Sequence, residues 1–214
     1  MVRHGQTNYN VYGIYQGQLD TPLNEVGVAQ ANALKKRFLK SEIHIDGIWS
    51  SDLQRARATV APIAAELSLP IHLHAGLREI HVGDFTDKPH KLVESLYSNK
   101  LETFKANFPN STYPNGENIV EARVRIHKTV CEIAEKNDGK TILAASHGGA
   151  IHSLIAEIYR RADLIAPNVS ISNCSLLLFE YENDNITLRS IEDENGKKIA
   201  FDDIEYSWKG PTVL

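Results

Sequence analysis

Three short blocks of this sequence carry side chains that, brought together, can handle a phosphate group. Arg3-His4-Gly5 sets a cation and an imidazole beside a glycine that permits close backbone approach, and Asn10 and Gln16 add neutral donors downstream. Arg55, in Ser50-Ser51-Asp52-Leu53-Gln54-Arg55, falls at the start of a helix that follows a strand directly. Helix N-termini favour anions, and an arginine there adds a bidentate clamp. His147-Gly148-Gly149 repeats the logic: a strand delivers a histidine and the glycines open the next helix. A phosphate dianion needs such a collar of guanidinium forks and N–H groups around one nucleophile.

Taken singly, each block has a plainer explanation. Arg3-His4-Gly5 also reads as a strand-end turn, Arg55 as a surface arginine like Arg57, and His147 as a helix-capping or core histidine. Glu79, in Leu77-Arg78-Glu79-Ile80, is by itself one carboxylate among many. His72 and His74 alternate along a short strand without a third ligand at supporting spacing, so they read as strand residues rather than a metal site. Cys131 and Cys174 lie among apolar neighbours in a helix and a strand, and read as buried reduced thiols.

The elements that must position these residues follow from periodicity. Apolar residues Val28, Ala31, Leu34 and Phe38 predict a helix over 25–40 with Asn24 as its N-cap. Ile45 to Trp49 predicts a buried strand, and a helix over about 52–67 presents Leu53, Ala56, Val60, Ile63 and Ala64 on one face. Residues 70–73 form a further strand, 117–136 a strongly patterned helix, and 141–145 a strand running into His147 and a helix through Tyr159. Two closing strands, 174–181 and 186–191, flank a turn at 182–185. Residues 5–16 read as a polar loop in which Tyr9, Tyr12 and Tyr15 lie near a pocket mouth. The stretch 88–108 is helical but poorly amphipathic, and 109–118 is rich in Pro, Asn and Gly; this middle region reads as a cap. Strands alternating with helices imply an α/β fold with a mostly parallel sheet covered on both faces. Sites in such sheets form at the carboxyl ends of strands, where His4, Ser50-Ser51 and His147 all fall.

The chain has 214 residues, 42% hydrophobic and 23% charged, which suits one domain with a real core. A net charge of −4 argues against nucleic acid as the partner. No apolar run approaches the roughly 18 residues of a membrane span, and the N-terminus lacks a signal-peptide pattern. A cytoplasmic protein is expected, with the sequon Asn110-Ser111-Thr112 a chance occurrence; a homodimer is left open.

In order along the chain, these blocks resemble the histidine phosphatase superfamily in its phosphoglycerate-mutase-like branch, of the broad-specificity or alpha-ribazole phosphatase type. The resemblance rests on Arg3-His4-Gly5-Gln6-Thr7 with Asn10, Gln16-Gly17 through Asp20, Pro22-Leu23, Gly27 and Gln30-Ala31. It continues through Ser50-Ser51-Asp52-Leu53 with Arg55-Ala56 and Thr59, Leu77-Arg78-Glu79 with Gly83, Gly116-Glu117 with Arg123, and Ser146-His147-Gly148-Gly149. It implies a three-layer α/β sandwich with a small helical cap at about 82–116, one domain over 1–214. It also implies that His4 attacks phosphorus and becomes phosphohistidine. Arg3, Arg55 and His147 would surround the phosphoryl oxygens, and Asn10, Gln16, Gly17 and Gly148 would line the phosphate. Glu79 would protonate the leaving alcohol. The implied substrate is a small-molecule phosphate ester, with no metal or cofactor. A mutase must grip a second phosphate, and residues 88–114 hold scattered lysines but no adjacent arginine pair, so hydrolysis is favoured. A phosphoglycerate mutase and a non-catalytic phosphate binder stand as alternatives.

Overall fold

A computed structural model describes residues 1–41, 43–161 and 169–199. Along the chain run β1 (Val2–Arg3), α1 (Asn8–Tyr12), α2 (Glu25–Lys40), β2 (Gly47–Ser50), α3 (Gln54–Leu67), β3 (Ile71–Leu73), α4 (His90–Leu96), α5 (Ser98–Ala106), α6 (Ile119–Glu135), β4 (Ile142–Ser146), α7 (Gly148–Arg161), β5 (Leu176–Glu182), β6 (Asn185–Glu192) and β7 (Lys198–Ile199). The sheet has the order β3-β2-β4-β1-β5-β6-β7. Its first four strands are parallel and β5, β6 and β7 add an antiparallel half. The parallel half is the part whose strand ends matter for function.

Period-two alternation sorts the core into two layers. Ile48, Leu143 and Ala145 face α2 and α3, joining Leu34, Val60 and Ile63 in one buried cluster. Trp49 and Ile142, on the opposite pleats, pack with Leu77, Ile126 and Leu154 beneath α6 and α7. Residues 82–116 build a separate cluster around Phe85, Val93, Leu101, Phe104 and Tyr113. Their expected single helix is two, broken at Tyr97.

β1 is only two residues long, yet it sits in mid-sheet. Val2 pairs with Ala145 on one side and Leu176 on the other. The following loop is not irregular throughout. Thr7 caps α1 by accepting from the Asn10 N–H while the Asn10 side chain accepts from Thr7, a reciprocal box that gives a five-residue helix where apolar periodicity shows none. Among other departures, Val28 and Val124 are exposed. The buried stripe of α2 instead runs Gly27, Ala31, Leu34, because that face meets the loop at Gln6. Cys174 is buried and free but precedes β5 in a left-handed conformation (φ 62°), and free Cys131 is only half-buried, on the flank of the α6 stripe. His74 caps a 3-10 turn at 75–77 by accepting from the Gly76 N–H, and His72 lies against the Trp49 ring. No group of three candidate metal ligands occurs among the described residues, and none of their helices is long and apolar enough to cross a membrane.

The contact between the loop and α2 sets where His4 stands. The Asn24 side chain accepts from the Gly27 N–H and donates to Gln6 Oε1, and the Gln6 N–H donates to Gln30 Oε1 at 2.8 Å. A Cβ on Gly27 would lie 2.1 Å from the Gln6 carbonyl oxygen. Helix propensity alone gives Gly27→Ala a gain of about 1 kcal/mol. The close approach reverses the sign, so chemical denaturation of Gly27→Ala should show a loss of at least about 1 kcal/mol. A stabilised variant would mean that the loop does not pack on α2 this tightly.

Candidate functional site

The carboxyl ends of β1, β4 and β2 lie side by side. The His4 N–H donates to the Ser146 carbonyl at 3.0 Å and the Ser51 N–H to the Ala145 carbonyl at 2.9 Å, which brings residues 4, 51 and 147 to one rim. The rings of His4 and His147 stand 5.2 Å apart, and both side chains are buried.

The hydrogen bonds of His4 determine its tautomer. Nδ1 lies 2.7 Å from the Gly5 carbonyl oxygen, which can only accept. Nδ1 therefore carries the proton, and Nε2 keeps a free lone pair. Burial, then the charges of Arg55 and Arg3, hold the imidazole well below its ordinary pKa and so neutral. His147 is depressed likewise, by burial first and then by Arg55, His4 and Arg3. Its Nε2 meets Ser51 Oγ at 2.9 Å.

Among the described residues, neither arginine of the site donates to a carboxylate. One Arg3 amino group donates to the Ile171 carbonyl at 2.5 Å, and Arg55 donates to the carbonyls of Leu19 at 2.7 Å and Gly17 at 2.8 Å. Burial lowers both, Arg55 to about 10. The Nε atoms of Arg3 and Arg55 and the Nδ1 of His147 are buried and make no hydrogen bond. A buried unpaired donor costs about 1–3 kcal/mol, and an anion that accepts from it removes that cost.

Two amides complete the collar by the same device. The Asn10 Oδ1 accepts from the Thr7 N–H and Thr7 Oγ, both at 3.0 Å, and from Asn173. The Gln16 Oε1 accepts from Thr21 at 2.7 Å and lies 3.0 Å from Thr7 Oγ, whose one proton it shares with Asn10 Oδ1. With both carbonyls anchored, each NH2 group is left over as a donor.

Glu79 stands at the start of α7. Its carboxylate accepts from the backbone N–H groups of Gly149 at 3.0 Å, Ala150 at 2.8 Å and Ile80 at 2.9 Å. A Cβ on Gly149 would fall 2.6 Å from the carboxylate, and one on Gly148 would fall 3.3 Å from Arg3 Nε. Gly17 meets the site through its carbonyl on Arg55, in a left-handed conformation (φ 49°). Of the loop tyrosines, Tyr9 donates to Asp87, Tyr12 is exposed, and Tyr15 packs against Phe85 and His90.

Three residues outside the candidate set hold the His4 loop and His147 in place. Thr59 accepts from the Gly5 N–H at 2.9 Å, Ser51 engages His147, and Asn173 donates to the His4 carbonyl at 2.8 Å. Thr59 and Ser51 stand inside the motif blocks, so their spacing is a usable signal; Asn173, in the serine-rich stretch Ser170-Ile171-Ser172-Asn173-Cys174-Ser175 and 169 residues from His4, offers none.

The buried histidines make stability depend on pH. His4, His147 and His152 (lowered to about 4 by burial and Arg3) are neutral in the fold but take a proton near 6.5 when unfolded. Below that value the unfolded chain binds protons that the folded one does not, so stability falls with falling pH by about 1.4 kcal/mol per unit for each histidine. The thermal midpoint should therefore drop steeply from pH 7 to 5, and less steeply in His147→Gln. Equal slopes would contradict a neutral, buried His147.

Comparison with known proteins agrees with this geometry. The family model described as the histidine phosphatase superfamily (branch 1) matches residues 1–194. Phosphoglycerate mutase-like protein 4 of Arabidopsis thaliana is 33% identical over 193 residues, covering 88% of this chain and 82% of its own. The adenosylcobalamin/alpha-ribazole phosphatase of Salmonella typhimurium is 29% identical over 158 residues, 74% of this chain and 77% of its own. Among solved structures, a mycobacterial glucosyl-3-phosphoglycerate phosphatase bound to VO3 superposes with a TM-score of 0.74 at 28% identity, covering 88% of this chain and 95% of that one. Arg3, His4, Arg55, Glu79 and His147 all fall inside the matched span, and the chain belongs to the histidine phosphatase superfamily, branch 1.

Proposed function

We propose that this phosphoric monoester hydrolase cleaves small-molecule phosphate esters through a phosphohistidine on His4. The observation that carries the reading is the pairing of a neutral His4, with Nε2 free, and buried guanidinium Nε–H groups and a His147 Nδ1 that have no partner among the described residues. Phosphoryl transfer is mostly positioning and charge stabilisation, and this arrangement supplies both.

In the first step, which Glu79 enters protonated, the Nε2 lone pair attacks phosphorus in line, the ester P–O bond breaks, and Glu79 passes its proton to the departing alcohol and becomes a carboxylate. Arg3, Arg55 and His147 carry the phosphoryl oxygens, with the NH2 groups of Asn10 and Gln16 beside them. In the second step water attacks the phosphohistidine, Glu79 takes its proton, the P–N bond breaks and phosphate leaves. Covalent catalysis thus divides one difficult displacement into two. The positive charge comes from side chains, so the reaction needs no metal. Residues 82–116, with their own apolar cluster beside the rim, act as the cap over the leaving group.

The phosphoglycerate mutase-like relative is a reason to assay mutase activity on 3-phosphoglycerate with its bisphosphate primer, where little turnover is expected. His4→Ala should lower kcat/KM for an aryl phosphate by more than about 10³-fold, and a chelator should change nothing. With 4-nitrophenyl phosphate, whose leaving group needs little protonation, Glu79→Gln should slow hydrolysis of the phosphoenzyme by about 10²-fold or more. A pre-steady-state burst of nitrophenol should then appear. No turnover of any phosphoester by the unmodified protein would overturn the proposal, and chelator sensitivity would overturn its metal-free step.

A further inference from the structure

Glu79 lies in a stretch, residues 78–82, that belongs to no helix or strand. No ladder satisfies its backbone, so the partners of its polar groups must come from elsewhere. Four consecutive carbonyls up to and including the acid are nevertheless all bonded. Arg125 Nη1 donates to the Gly76 carbonyl at 2.8 Å and to the Arg78 carbonyl at 3.1 Å, and Ser146 Oγ donates to the Leu77 carbonyl at 2.8 Å. The Glu79 carbonyl accepts from Gln18 Nε2 at 3.1 Å, with Arg125 Nη2 more distant at 3.5 Å. The Arg78 and Glu79 carbonyls belong to the two peptide units on either side of the Glu79 Cα. Each unit is planar, so holding both oxygens fixes the direction in which the side chain leaves the backbone.

Arg125 stands on α6 and is itself aimed by Glu117. Its Nε and Nη2 meet the two carboxylate oxygens at 2.6 and 2.9 Å, fork to fork. The two side chains are 24% and 14% exposed, better shielded than an ordinary surface pair. Glu117 Oε2 also accepts from the His81 N–H at 3.1 Å, and the Glu117 N–H donates to the His81 carbonyl at 2.8 Å. Residues 81 and 117 are the two feet of the cap, and the Asp84 N–H joins them again by donating to the Pro114 carbonyl at 2.8 Å. One ion pair thus ties both feet of the cap to the segment that carries the acid. The charge of Arg125 also reaches His147, as the smallest of the influences that depress it. A role through charge and a role through geometry therefore predict different behaviour for a lysine at this position.

We propose that Arg125, aimed by Glu117, is a positioning residue for Glu79: its planar fork fixes the peptide units from which the acid projects and so sets where the carboxyl group meets the leaving alcohol. This role rests on the reading of Glu79 as proton donor in a His4 phosphatase.

The test compares kcat/KM for benzyl phosphate, whose alkoxide must be protonated as it leaves, with that for 4-nitrophenyl phosphate, whose leaving group needs little protonation. A misplacement of about 1 Å costs on the order of 10²-fold in rate, so Arg125→Met should lower the benzyl-to-nitrophenyl ratio by about tenfold or more. Arg125→Lys should lower it nearly as far, since an ammonium keeps the charge but cannot reproduce the fork. In a Glu79→Gln background, Arg125→Met should change the rate on benzyl phosphate by less than about twofold, because the group it positions is gone. Loss on both esters by the same factor, restoration of the ratio by lysine, or full additivity with Glu79→Gln overturns the positioning role and leaves the phosphatase intact. An unaltered ratio in Glu79→Gln overturns the acid assignment and this role with it. Absence of turnover on both esters by the unmodified protein overturns the phosphatase reading itself. Should Arg125→Met fail to fold, Glu117→Gln, which releases the fork and leaves Arg125 in place, decides by the same ratio: a fall supports the role and an unchanged ratio overturns it.

Discussion

Two guanidinium groups are buried here without a hydrogen bond to a carboxylate among the described residues, Glu79 and Asp20 acting on them only through space, and the rest of the site is arranged around that cost. A buried charge needs either a counter-ion or a dense set of dipoles. Arg3 and Arg55 take the second course, on the carbonyls of Ile171, Leu19 and Gly17. Carbonyls satisfy the N–H groups but leave the positive charge standing. Burial first, and that residual charge second, keep both histidines neutral, and the Nε atoms without partners among the described residues give the charge direction. Replacing these carbonyls with a carboxylate would stabilise the empty protein and weaken its hold on a dianion.

This constraint explains why such distant segments must meet. The carbonyls come from residues 17–19, after α1, and from residue 171, before β5. Between them the short β1 is paired on both edges, and Asn173 and the Cys174 N–H reach its end, bonding the carbonyls of His4 and Arg3. A two-residue strand can carry a nucleophile because its neighbours supply the order that its length does not.

Much of this was legible in the sequence, and the boundary has a physical basis. Helices α2, α3 and α6 and strands β2 and β4 bury one face or both, so their periodicity shows directly in the chain. The three strand-end blocks and their meeting on one rim followed from that alternation, and the structure adds the hydrogen bonds and distances by which they meet. The short pieces are different. α1 exists through the Thr7–Asn10 box and buries nothing, and β7 is two residues pairing on an edge, so neither leaves an apolar pattern. The paired use of Asn10 and Gln16, carbonyl anchored and NH2 free, depends on Thr7, Thr21 and Asn173 arriving from elsewhere. Side-chain chemistry suggested the donors; only tertiary contact orients them.

Helix N-termini are the point at which the sequence argument needed most revision. Two of them open beside the rim, at α3 and α7, and each appeared ready to receive phosphate. Protein carboxylates reach both first. Asp20 accepts from the Gln54 N–H at 2.6 Å, and Glu79 takes the N–H groups of Gly149 and Ala150. The helix dipoles therefore act on the protein's own acids, and under the proposed mechanism a substrate anion would be left to side-chain donors. For Glu79 the consequence is positional: three backbone N–H groups fix both carboxylate oxygens, so the group offered to the leaving alcohol cannot swing onto either arginine. Gly149 is then required for lack of a side chain, since a Cβ there would occupy the place of the carboxylate. The glycine pair after His147 gives room to Arg3 at one residue and to Glu79 at the next, keeping cation and acid apart on the same turn.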